Sequence, residues 1–155
     1  MESTTWLVTG GSGFIGTNLI ERLSKRGINA YNVDIRPPIV GDQQALWREL
    51  DICDRTALIN TVCTVKPDII VHLAAKADFD PNPESFYGPN VEGTRNLLDG
   101  ALLCKVSRVI LTSTQYVNGP LKPFADDRVY YPVNAYGESK VRMEQLARTV
   151  PYEPL

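Results

Sequence analysis

Thr9-Gly10-Gly11-Ser12-Gly13-Phe14-Ile15-Gly16 is the stretch whose reading decides the fold. Ahead of it stands the apolar run Thr5-Trp6-Leu7-Val8, which predicts a buried strand over about Thr4–Thr9. Behind it Ile15, Leu19, Ile20 and Leu23 recur at helical spacing, which predicts a helix from Phe14 to about Arg26. Strand, glycine-rich turn and helix, in that order, is the setting that gives a glycine fingerprint meaning. Gly10 permits the tight turn, Gly13 lets backbone approach a pyrophosphate, and Gly16 lets the helix pack against the strand. The backbone N–H groups of the first helical turn, from Phe14 and Ile15 onward, sit at a positive dipole end and would hold phosphates. A tight β–α turn with no ligand is the bland alternative, and the residues downstream weigh against it.

Moving outward, Lys25-Arg26-Gly27 reads as a helix stop, with basic residues in the last turn and a glycine past it. Ile28 to Val33 is a second strand, and Asp34 stands at its end, 18 residues after Gly16. A dinucleotide fold places there the carboxylate that accepts hydrogen bonds from the adenosine ribose. Such a carboxylate repels a 2′-phosphate, so Asp34 favours NAD over NADP. The Asp34-Ile35-Arg36 loop also carries an arginine that could serve a 2′-phosphate. A turn-rich loop is expected from Pro37 to Gln44, a short strand from Leu46 to Leu50, and a helix from Arg55 to about Val65 capped by Asp54. The β-branched run Ile69-Ile70-Val71-His72-Leu73-Ala74-Ala75 suits a central parallel strand covered on both faces. His72 at its end reads as a structural histidine. Asp78 to Pro89 is expected as loop or frayed helix, and a firm helix from Asn90 to about Lys105. Arg108 to Thr112 is a fifth strand, Ser113 to Asn134 a long irregular segment, and Ala135 to about Val150 a last helix. Strands alternating with helices at these intervals mean an α/β, Rossmann-type doubly wound parallel sheet with helices on both faces.

Composition sets the bounds. A chain of 155 residues, 43% hydrophobic and 22% charged, fits one ordinary globular domain. Its net charge of −2 and lack of a basic cluster exclude a nucleic-acid footprint. No apolar run approaches membrane-spanning length, and no signal-peptide pattern opens the chain, so a cytoplasmic protein without membrane contact is expected. Cys53, Cys63 and Cys104 have no metal-ligand spacing, and with His72 as the single histidine no metal site is expected. Free, mostly buried thiols are the expectation.

A second constellation is Tyr136-Gly137-Glu138-Ser139-Lys140, which sets a tyrosine and a lysine four apart on one helix face. An ammonium beside a phenol favours the phenolate. Moving a phenol from about 10 to near 7 requires roughly 4 kcal/mol, which a lysine, a cationic nicotinamide and exclusion of water together supply. A phenol so poised can exchange a proton with a carbinol or carbonyl while hydride moves to or from a cofactor.

With these residues in view, the chain resembles the N-terminal domain of the extended short-chain dehydrogenase/reductases, the NAD(P)-dependent nucleotide-sugar epimerase/dehydratase family. The resemblance runs through Thr9–Gly16, His72-Leu73-Ala74-Ala75, Asn90-Val91-Glu92-Gly93-Thr94, Thr112-Ser113-Thr114 and Tyr136–Lys140, nearly the whole chain. It implies that Asp51 and Ile52 flank the adenine, and that Leu73, Ala74 and Ala75 line the path to the nicotinamide. It also implies that Asn90 sits near the cofactor and helps shape the active site, with Thr112 near the cofactor too. Thr114 matches the family's catalytic Ser/Thr, Tyr136 the acid/base, and Lys140 its tuner and the anchor of the nicotinamide ribose. In the 4,6-dehydratase branch an Asp-Glu pair follows the catalytic threonine. Gln115 and Tyr116 stand here instead, which disfavours dehydration and leaves epimerisation, oxidation or reduction.

The family implies a nucleotide-sugar substrate and a homodimer through the helices at about Asn90–Lys105 and Ala135–Val150. The family also continues into a C-terminal substrate-binding region, which is expected to be absent here. On that expectation the sheet stops after about five strands, and the 155 residues bind NAD with negligible turnover. The alternatives are a non-catalytic NAD(H) sensor or scaffold, which would need none of Thr114, Tyr136 and Lys140, and an inactive truncated fragment.

Overall fold

The computed structural model of the chain describes residues 4–77, 83–119 and 129–151. Five parallel strands form one sheet in the order β3-β2-β1-β4-β5: β1 Thr5–Thr9, β2 Asn29–Asp34, β3 Trp47–Glu49, β4 Ile69–His72 and β5 Arg108–Leu111. The helices are α1 Phe14–Lys25, α2 Arg55–Val65, α3 Pro83–Leu103 and α4 Ala135–Thr149. This is the expected doubly wound arrangement. Chain order reverses direction at β1, where β2 lies to one side and β4 to the other, so β1 and β4 enclose the switch point.

The core follows from the two-residue period of a strand. Leu7 and its sheet neighbour Ile70 face one side, where Leu58 and Val62 of α2 and Leu97 and Ala101 of α3 cover them. Val8 and its neighbour Val71 face the other, against Ile20 and Leu23 of α1. Leu7, Val8, Leu58 and Leu97 are wholly buried. Truncating Leu7 to alanine would therefore cost about 2–5 kcal/mol. The Asp54 carboxylate caps α2 as expected, accepting from the Ala57 N–H at 3.0 Å.

Three expectations are corrected. The helix predicted from Asn90 begins at Pro83 and runs through Pro89. A proline is pre-set for the first helical position, and burial of Tyr87 and Asn90 holds the early turns in spite of Pro89. A 3-10 turn, Gly41–Leu46, occupies the end of the predicted loop and leaves β3 shorter than Leu46–Leu50. Finally, Cys63 and Cys104 are not free thiols. The ends of α2 and α3 bring their Cα atoms to 5.3 Å and a disulfide joins them, which leaves Cys53 as the free cysteine. The middle of the Ser113–Asn134 segment and the start of the Asp78–Pro89 segment lie outside the described residues. No helix among the described residues is long and apolar enough to cross a membrane.

Candidate functional site

The glycine turn leaves the carboxyl end of β1 and crosses the open ends of its neighbours. Gly10 has φ +70, and a Cβ there would stand 2.6 Å from the Ala74 backbone nitrogen. The turn is thus pressed against the segment that leaves β4. A Cβ on Gly16 would lie 2.4 Å from Gly11 Cα and 2.5 Å from Gly10 O, so its bareness lets α1 sit close on the glycine turn that leaves β1. Gly11, to which the sequence reading gave no role, faces Asn32, whose Oδ1 would be 2.2 Å from an added Cβ.

Gly13 is the informative glycine. An added Cβ would meet only Gly10 O, at 3.3 Å, so the protein's own packing leaves that space open. Gly13 is also the N-cap of α1, with no side-chain cap and no acidic residue in the first turn. An uncapped helix N-terminus facing an open cradle is a place for an anion. Phe14 and Ile15, by contrast, turn their side chains to solvent, 86% and 57% exposed. They can contribute backbone N–H groups and no buried surface.

Asp34 is buried at the end of β2. Its Oδ2 accepts from the Ser12 N–H at 3.1 Å and its Oδ1 from the Arg36 N–H at 3.0 Å. Ser12 links the turn to β2 twice more, donating its hydroxyl to Arg36 O at 2.8 Å and accepting from Asn32 Nδ2 at 3.0 Å. Asn32, an asparagine buried inside β2, was the sequence's hint of this link. The carboxylate keeps lone pairs for a further donor, and the Arg36 side chain is exposed.

A cavity of about 290 Å³ opens beside these groups, at the switch point. Gly10, Gly13, Asp34, Ile35 and Arg36 form one side of it, Asp51 and Ile52 another, and Leu73, Ala74, Ala75 and Asn90 a third. Eleven of the predicted cofactor residues therefore converge. Val33, Leu50, Lys76 and Pro89 join them without having been singled out. Thr112, Tyr136 and Lys140 lie outside this cavity. Asn90 is buried, with its amide closing a ring on the Lys76 backbone: it accepts from Lys76 N at 2.7 Å and donates to Lys76 O at 3.0 Å. It also donates to Ser139 Oγ at 3.2 Å, which ties the cavity to α4.

On α4, Asn134 caps the helix by accepting from the Gly137 N–H at 2.7 Å. Gly137 is bare because a Cβ would fall 2.5 Å from Tyr116 O, so the first turn of α4 rests on the short 3-10 turn Gln115–Val117. Thr114 begins that turn, its Oγ1 accepting from the Tyr116 N–H at 3.3 Å. The Tyr136 ring lies between Tyr87, at 5.7 Å between centroids, and Tyr116, at 6.5 Å. Lys140 Nζ is buried, donates to Thr112 O at 3.0 Å and stands 5.8 Å from the Tyr136 centroid. Burial pushes Lys140 down to about 8. The Tyr136 phenol moves up, through burial and then Tyr87, against the expected lowering.

The model of the NAD dependent epimerase/dehydratase family matches residues 6–152. Among curated relatives, GDP-6-deoxy-D-talose 4-dehydrogenase of Aggregatibacter actinomycetemcomitans is 35% identical over 147 residues, covering 90% of this chain and 46% of the relative. The probable dTDP-glucose 4,6-dehydratase of Sinorhizobium fredii is 30% identical over 165 residues, covering 91% and 47%. The crystal structure of Brucella ovis UDP-glucose 4-epimerase in complex with NAD superposes with a TM-score of 0.82 at 28% identity, covering 97% of this chain and 49% of that one. The chain thus spans a little under half the length of these relatives.

Proposed function

The chain belongs to the NAD-dependent epimerase/dehydratase family, a family of enzymes that use NAD, and on that footing we propose that it is the cofactor-binding part of an enzyme that epimerises, oxidises or reduces a nucleotide-sugar. The observation that carries this reading is the cavity at the switch point, with Gly13 bare at its rim and Asp34 in its wall. These residues fit a dinucleotide: the uncapped α1 N-terminus for the pyrophosphate, Asp34 for the adenosine ribose, Asp51 and Ile52 for the adenine, and Leu73 to Ala75 toward the nicotinamide. Bound NAD supplies the acceptor and donor of hydride. Thr114 then donates a hydrogen bond to the reacting sugar oxygen, and the Tyr136 hydroxyl moves the proton at that oxygen. Lys140, seated on Thr112, holds the nicotinamide ribose and stabilises the phenolate.

Gln115 and Tyr116 support epimerisation, oxidation or reduction over dehydration, since neither side chain can act as the carboxylate that elimination requires. A homodimer through α3 and α4 belongs to the same reading and is tested by sedimentation, where a clean monomer at about tens of micromolar counts against it.

A polypeptide of these 155 residues is expected to bind NAD and turn over nucleotide-sugars negligibly. Hydride transfer needs the reacting carbon held about 3–3.5 Å from the nicotinamide, and in this reading the rest of the enzyme's length provides that hold. Calorimetric titration with NAD tests the first half. Assays across UDP-, GDP- and dTDP-sugars, with Tyr136→Phe as control, test the second. Absence of NAD binding would sink the reading, and robust turnover abolished by Tyr136→Phe would show the site complete in this chain.

A further inference from the structure

The single histidine lies outside the proton chemistry proposed above, yet its ring joins β1 to α3 behind the cavity. His72 is 2% exposed at the end of β4. Its Nδ1 stands 2.6 Å from Thr9 Oγ1 on β1, and its Nε2 stands 3.1 Å from Thr94 Oγ1 on α3.

The neighbours dictate its tautomer. A threonine hydroxyl has one hydrogen to give, and Thr94 donates it to Asn90 O at 2.7 Å. Toward His72 it can then only accept, which puts the imidazole hydrogen on Nε2. On the other side Thr9 Oγ1 accepts from the Ala74 N–H at 3.3 Å, which leaves its own hydrogen for His72 Nδ1. The bonds run in one direction, from Ala74 N–H through Thr9, His72 and Thr94 to the Asn90 carbonyl. Both ends of this chain line the cavity. The backbone carbonyl of His72 adds a branch, accepting from Thr112 Oγ1 at 2.7 Å and Thr112 N at 3.3 Å. Thr112 O in turn receives Lys140 Nζ at 3.0 Å.

We propose that His72, as the neutral Nε2–H tautomer, is a positioning residue that holds Ala74, Asn90 and the seat of Lys140 in register for the cofactor. The inference rests on the NAD-binding reading above. An aliphatic residue of like size would fill the space yet leave two buried hydroxyls without their partner. A charged imidazole would need Nδ1 to donate, where Thr9 already donates. Burial, and then the Lys140 ammonium, push His72 down to about 3, which agrees with a neutral ring.

Two measurements on the whole chain test this. Nitrogen-detected imidazole NMR should show one neutral tautomer with hydrogen on Nε2, unchanged from about pH 6 to pH 8 around the ordinary histidine value. Hydrogen on Nδ1, or a protonated ring, overturns the proposal. Calorimetry with NAD should show His72→Leu binding about tenfold or more weakly than wild type, with circular dichroism unchanged. His72→Gln, which keeps a donor near the Nε2 position toward Thr94, should recover part of that loss. Folded His72→Leu binding NAD as wild type does overturns the inference alone. Wild-type protein that binds no NAD overturns the proposed function instead. If His72→Leu does not fold, the NMR result and the Gln variant decide.

Discussion

Lys140 Nζ lies 5.8 Å from the centre of the Tyr136 ring and directs its hydrogen bond to Thr112 O at 3.0 Å. The two side chains are neighbours on one face of α4, but burial moves both toward their neutral forms: Lys140 down to about 8 and Tyr136 up from the ordinary 10. The protein alone therefore keeps the phenol protonated, and in the proposed mechanism the positive nicotinamide would supply the rest of what a phenolate at neutral pH needs. Ultraviolet titration of the difference between wild type and Tyr136→Phe should show Tyr136 ionising above 10 without cofactor and lower with NAD⁺. Ionisation near neutrality in the cofactor-free protein would refute this account.

Two glycines of the fingerprint predict opposite outcomes. Gly16→Ala drives a Cβ to 2.4 Å from Gly11 Cα, so backbone must shift and stability should fall by about 1–3 kcal/mol. Gly13→Ala meets only Gly10 O at 3.3 Å and should fold nearly as well as wild type. Its methyl group stands where a pyrophosphate would come close, so NAD affinity should fall about tenfold or more. Urea denaturation and NAD titration on both variants check the pair. Gly13→Ala that binds NAD normally would remove the cradle from the argument.

These contrasts mark what the sequence could reveal. Hydrophobic period and glycine punctuation are local, so the strands, three of the four helices and the turn at Gly10–Gly16 were legible. The place of Asp34 was legible too, because in a doubly wound sheet the carboxyl ends of the strands open on one edge, whereas the convergence of Asp51, Ala74 and Asn90 with it came from the family resemblance. The start of α3 was not legible, because Pro83 and Pro89 mark a break by propensity and only burial of Tyr87 and Asn90 reverses it. The partners of His72 stand 63 and 22 positions away, and those of Gly11 and Cys63 are as remote, so no window of sequence contains them.

In the proposed reading, cofactor choice turns on Asp34. Its carboxylate is already oriented by the N–H groups of Ser12 and Arg36, at 3.1 and 3.0 Å, and would meet a ribose diol without rearrangement. A hydrogen bond to a charged group contributes about 1.5–3 kcal/mol, which puts NAD roughly tenfold or more ahead of NADP. Asp34→Ala should narrow that gap when both cofactors are titrated by fluorescence. Equal or tighter NADP binding by wild type would hand the choice to Arg36.

The disulfide between Cys63 and Cys104 spans a sequence separation of 41 that contains β4 and α3, hence the side of the cavity formed by Leu73, Ala74, Ala75 and Asn90. A loop of that length constrains the unfolded chain by about 4 kcal/mol, less whatever structure the reduced chain retains. Reduction, or Cys63→Ser, should lower the urea midpoint accordingly without abolishing the fold. An unchanged midpoint on reduction would mean that the bond adds nothing to stability in solution.

Acid should destabilise the protein through His72 before most carboxylates titrate. The sign follows from which state binds the proton. In the folded protein His72 is held down to about 3, whereas in the unfolded chain it titrates at the ordinary value near 6.5. Above that ordinary value neither state is protonated there and the stability is fully present. As pH falls through the window between the two values, the unfolded chain takes up a proton that the folded one refuses. Stability then declines at up to about 1.4 kcal/mol per pH unit, or roughly 2 kcal/mol between pH 8 and pH 5. Unperturbed carboxylates titrate near 4 and add little above pH 5. Urea denaturation at those two pH values should therefore show the loss in wild type and most of it missing in His72→Gln, whose side chain cannot take up the proton. The same loss in both proteins would place the acid sensitivity elsewhere and return His72 to an ordinary environment.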